Sequence, residues 1–84
     1  MEVSNQTILQ FHKKIAANVQ QKRLDAGKSQ LDIAYKALNL SNDSFVSKLE
    51  NCSEGKHFNL EQLYRISIYL ECDIADFFKG IINE

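Results

Sequence analysis

The chain is 84 residues long, 44% hydrophobic and 25% charged, with a formal net charge of −1 at pH 7. That length leads us to expect one small domain, residues 1–84, with no second domain within it. No apolar run approaches the ~20 residues of a membrane span, and with no basic-plus-apolar leader the expectation is a cytoplasmic protein with reduced cysteines.

With no Pro and only Gly27, Gly55 and Gly80, the chain has few helix breakers. Ile8, Phe11, Ile15 and Val19 recur at intervals of three and four, which predicts an amphipathic helix over roughly residues 6–26, stopped at Gly27. In "SQLDIAYKAL", Ser29 can cap a short second helix, with Asp32 at its third position and Ile33, Ala34 and Ala37 forming a small-residue face. "NLSN" is a turn by composition around an apolar Leu40.

"NDSFVSKLEN", residues 42–51, predicts a third helix with Phe45, Val46 and Leu49 turned inward and short polar side chains on the other face. A helix needing only solubility would more often carry Glu and Lys there, so short hydroxyls suggest close approach to a partner. After the polar loop "CSEGKHF", Asn59 and Gln62 give a capping-box start to a fourth helix with the core stripe Leu60, Leu63, Ile66 and Leu70. Asp73 can cap a fifth, "IADFFKGIINE". No segment alternates with period two, so the fold class expected is all-α: a compact five-helix domain with an N-terminal helical extension (1–14), a core (15–78) and a C-terminal tail of helix five (79–84).

The near-neutral charge hides an asymmetry. Residues 1–50 carry seven Lys/Arg against five Asp/Glu, whereas residues 51–84 carry three against six. This supports one basic face, although random scatter of surface charge accounts for it equally. Cys52, His57, Cys72 and His12 match no common zinc spacing, so no metal and no cofactor are expected. No His is paired with a nucleophile and an orienting acid at readable positions, so no catalytic site and no enzyme activity are expected. Tyr35, Tyr64 and Tyr69 read as packing residues with wet hydroxyls.

Residues 29–51 have the form of a helix-turn-helix, a pattern shared by any αα-corner of a small bundle. The segments "IAANVQQKRLDAGKSQLDIA", "FVSKLEN" and "NLEQLYRISIYLECDIADFF" together resemble the lambda-repressor-like, Cro/CI-type (XRE) helix-turn-helix family over residues 15–78. The chain departs from that pattern in about two extra residues around "ALNLSND", in Cys52 and Phe58 where Gly and Pro are common, and in Glu71 where a helix-ending Gly is common.

The resemblance implies a sequence-specific double-stranded DNA-binding transcriptional regulator, acting as a homodimer on a pseudo-palindromic operator, with helix three in the major groove. It places Asp43, Ser44, Ser47 and Lys48 near base edges, Lys48 donating to guanine and Asp43 accepting from cytosine or serving the helix dipole. Gln30, Asn51, Arg23, Lys28 and Lys56 are the expected backbone contacts; for Arg23 a salt bridge with Glu50 is the competing and compatible reading. Phe78, Ile81 and Ile82 are the expected dimer interface, the alternative being that Ile81 and Ile82 fold back on Ile8 and Phe11. A second reading is a protein-interaction module, such as the antitoxin of a toxin–antitoxin pair with a small protein partner.

Overall fold

The computed structural model describes residues 2–81, and every regular element among them is helical. Helix α1 runs Asn5–Asp25; α2 is Gln30–Asp32 and continues as a π-helix over Ile33–Ala37; α3 is Ser44–Asn51 and α4 is Leu60–Leu70. Short 3₁₀ segments, Ser53–Gly55 and Ile74–Phe78, follow α3 and α4. Among the described residues there are thus four α-helices and no strand.

Local capping accounts for the helix starts. The Ser4 hydroxyl accepts from the Thr7 amide at 3.1 Å, and Ser29 with Asp32 and Asn59 with Gln62 form two reciprocal capping boxes. The π turn is closed by the Leu38 amide on Ile33 O at 3.0 Å, then by the Leu40 amide on Ala34 O at 2.8 Å, with Asn39 left-handed between them. A π turn accommodates one residue more than an α turn, so the chain takes up an additional residue here before α3 begins.

The expected fifth α-helix is corrected to one 3₁₀ stretch. Asp73 does cap it, accepting from the Ala75 amide, but Asn18 on α1 donates to the carbonyls of Phe77 at 2.9 Å and Lys79 at 2.8 Å. Those are acceptors that a continuing helix would need. Lys79 turns extended and Gly80 adopts φ +72, where any Cβ would also meet the Lys14 side chain at 2.9 Å.

The core is formed by Ile15, Ala16 and Val19 of α1, Ile33, Ala34 and Ala37 of α2, Val46 and Leu49 of α3, Leu63 and Ile66 of α4, and Phe77. Phe58, from the loop before α4, completes it. Two inward assignments are corrected: Leu60 is 70% exposed and Ile8 is exposed, while Phe45 is half-buried and packs against the core. Leu63 and Ile66 of the expected stripe are buried, and Ser67 is buried beside them, its hydroxyl donating to Tyr64 O at 2.7 Å.

Helix α4 ends on a left-handed residue despite lacking glycine. Glu71 has φ 55, ψ 45, and the Cys72 amide reaches back to Ser67 O at 3.0 Å, the closure of a Schellman motif. A side chain in that region is strained, so Glu71→Gly is expected to raise stability by about 0.5–1 kcal/mol. Chemical denaturation of the two proteins measures this, and an unchanged or lower midpoint contradicts it.

Candidate functional site

Helix α3 lies with Val46 and Leu49 in the core and with Ser44 and Asn51 in solvent; Ser47 and Lys48 are half-buried. Asp43 precedes the first turn, exposed and making no side-chain cap. Asn42 takes that role, its amide oxygen accepting from the Ser44 amide at 3.0 Å and from the Ser44 hydroxyl. Along the helix the Asn51 amide donates to Ser47 O at 2.9 Å. Ser44, Ser47, Lys48 and Asn51 thus lie on the side of α3 away from Val46 and Leu49, and Asp43 stands just before its first turn.

What holds α3 in place is a buried ionic cluster. Glu50 Oε2 accepts from Arg23 Nε at 2.7 Å, while Glu50 Oε1 accepts from Arg23 Nη2 at 3.1 Å and from Gln30 Nε2 at 3.0 Å. Arg23 Nη1 donates to Lys28 O at 2.9 Å. One carboxylate on α3 thus ties together the end of α1, the loop after it and the start of α2. Arg23 and Glu50 are only 7% and 9% exposed. The expectation that Arg23 contacts a DNA backbone is accordingly corrected: its guanidinium is turned into the protein, and the salt bridge with Glu50 is the reading the structure adopts. Gln30 is half-buried beside that cluster.

The lysines around α3 are engaged in weaker contacts. Lys48 Nζ lies 2.9 Å from Glu54, whose carboxyl is held below its ordinary range first by the hydrogen bond and then by the charge of Lys48. Lys56 Nζ sits 5.6 Å from the Phe45 ring centroid, and Lys28 Nζ 5.5 Å from that of Tyr69. Such surface contacts hold a lysine loosely and leave it free to exchange partners.

Phe78 and Ile81, expected at a dimer interface, are half-buried and pack against the monomer's own core. Ile81 borders a groove with Ile8 and Phe11 of α1, the fold-back arrangement. The Asn18 bonds draw the C-terminal segment across α1, which gives Ile81 the fold-back place named as the alternative to an interface. Ile82 lies outside the described residues.

The imidazoles of His12 and His57 stack face to face, with centroids 3.7 Å apart and an interplanar angle of 9°. No sequence signal joins residues so far apart. Parallel rings at this distance cannot aim two ring nitrogens at one ion, and among the described residues no three His, Cys, Asp or Glu side chains gather as metal ligands. Burial, and then the nearby His57, push the His12 pKa below its ordinary 6.5.

A depressed pKa in the folded state contributes stability that is present above the unfolded value and lost as pH falls towards the folded one. Stability should therefore decline as pH drops below about 6.5, and His12→Gln should flatten that decline. Urea midpoints measured at neutral and mildly acidic pH provide the check; an identical slope in the variant would refute it.

The Tyr expectation holds only in part. Tyr35 and Tyr64 are solvent-exposed, but the Tyr69 hydroxyl is buried and has no hydrogen-bond partner among the described residues. Cys52 and Cys72 are half-buried free thiols, both raised in pKa chiefly by burial. Among the described residues no helix is long and apolar enough to cross a membrane. No family model, curated protein or solved structure matches the chain.

Proposed function

We propose that the protein is a sequence-specific double-stranded DNA-binding regulator of the helix-turn-helix type, working as a homodimer, with α3 as the element that enters the major groove. The observation that carries this reading is the two-sidedness of α3. Val46, Leu49 and Glu50 anchor one side, and the other presents Ser44, Ser47, Lys48 and Asn51, side chains short or flexible enough for a backbone to approach base edges. The cluster of Arg23, Glu50 and Gln30 supports it, because base reading needs a helix held in a fixed orientation on its scaffold.

In this reading Lys48 exchanges Glu54 for a guanine edge, and Asp43 stands at the α3 N-terminus, where the helix dipole tolerates an acid. Gln30, Lys28, Lys56 and Asn51 serve as backbone contacts, which position without reading sequence. Arg23 supports α3 from inside.

Selection of bound sites from a random duplex library, followed by titration of variants, tests the proposal. Lys48→Ala should cost about 1–3 kcal/mol on the selected site and much less on random DNA. Glu54→Gln should do the opposite, tightening binding about three- to tenfold at low salt, because it removes a carboxylate from the DNA-facing side and frees Lys48. A folded protein that binds no duplex even at low salt would sink the reading and favour a dedicated protein partner instead.

A further inference from the structure

The largest exposed apolar side chains of α4 form a single row. Leu60, Tyr64 and Ile68 are spaced four residues apart and are 70%, 58% and 60% exposed, whereas Leu63, Ile66 and Ser67, along the adjoining face, are buried. Three large apolar side chains in one row rimmed by polar residues form the kind of exposed patch that marks interaction surfaces. The row is flanked on one side by Glu61 and Arg65, which pair with each other at 3.1 Å and remain 76% and 44% exposed.

We infer that this face of α4 is the self-association surface, packed against α4 of a second copy about a two-fold axis passing near Tyr64. The observations favour a second copy because the row is its own complement. Leu60 and Ile68 lie equally far from Tyr64, about 6 Å along the axis in each direction, so a two-fold rotation sets Leu60 against Ile68 of the partner subunit. A recess of about 320 Å³, bounded by Lys36, Ala37, Arg65, Ile68 and Tyr69, opens beside Ile68 and can receive that leucine. The same rotation keeps both charged flanks on one side and brings Glu61 within about 3 Å, along the axis, of Arg65 of the partner subunit. The intrahelical pair can then be exchanged for two pairs across the interface, and no charge is left unmatched. Rows at four-residue spacing also pack against one another at one of the commonest helix-crossing geometries.

That the protein is a homodimer belongs to the proposal above; the surface stands on its own observations, and its test is run without DNA, so that failure of one leaves the other readable. Sedimentation velocity of the full chain at tens of micromolar should show a dimer. Tyr64→Lys should raise the dimer dissociation constant at least about thirtyfold. Its circular dichroism should match the parent, since the side chain is mostly in solvent. Glu61→Arg should weaken association by like-charge contact across the axis, and adding Arg65→Glu should restore it to within about threefold, because the reversed flanks are again complementary. A parent protein that stays monomeric, a Tyr64→Lys variant that stays dimeric, or a double reversal that fails to restore association would each overturn the inference.

Discussion

Arg23→Ala will lower the unfolding free energy by about 3–5 kcal/mol, the usual cost of breaking a buried ion pair from one side. The reason lies in what remains. Glu50 would be left buried, at 9% exposure, with Gln30 as its one remaining side-chain donor among the described residues, and Lys28 O would lose the Arg23 Nη1 proton. A domain of this size has roughly 4–12 kcal/mol of stability in all, so the loss should be visible as a large drop in the urea midpoint.

Replacing both partners, Arg23→Met with Glu50→Leu, should cost clearly less than the sum of the single changes, because no uncompensated charge is then buried. Additive losses would show that the two residues act independently and that the pair is not the link joining α1, α2 and α3. The double variant also separates folding from recognition. If it folds but binds duplex DNA poorly, the cluster's main service is the orientation of α3.

Phe77→Ala will be comparably severe, at about 3–5 kcal/mol. Phe77 is the largest of the fully buried side chains, at 0% exposure, and it reaches the core from the 3₁₀ segment after α4. That short segment supplies few hydrogen bonds of its own, so its place depends largely on this ring, beside the two bonds from Asn18 and the Lys22–Asp76 pair at 3.2 Å. Thermal or urea unfolding measures the loss. A change below about 1 kcal/mol would mean that the cavity collapses and that the C-terminal segment contributes little to closing the domain. Ile81→Asp, half-buried at the edge, should be milder and should leave self-association intact if α4 forms the dimer.

Helix starts were legible in the residues themselves. Ser29 with Asp32, Asn59 with Gln62, and Asp73 before the last segment all cap as their spacing predicted, because the bonds involved span only two or three positions. The polar outer side of α3 was legible for a similar reason: its period puts Phe45, Val46 and Leu49 on one stripe, of which Val46 and Leu49 are buried and Phe45 half-buried.

Helix α4 was ambiguous, since it carries apolar side chains around most of its circumference and periodicity cannot say which stripe meets a neighbour. Packing against α2 chose Leu63, Ile66 and the small Ser67, and left Leu60, Tyr64 and Ile68 outside. The same holds for features joined across long separations. Arg23 meets Glu50 across 27 positions, and Asn18 caps the chain 59 and 61 residues later, ending the expected fifth helix after one 3₁₀ stretch. Glu71 is held left-handed by the closure onto Ser67, a strain that no propensity favours and that the packing on either side of it imposes. Hydrogen bonds within one turn are determined by the residues in that turn. Burial, charge pairing and strained backbone depend on which surfaces meet, and only the tertiary structure decides that.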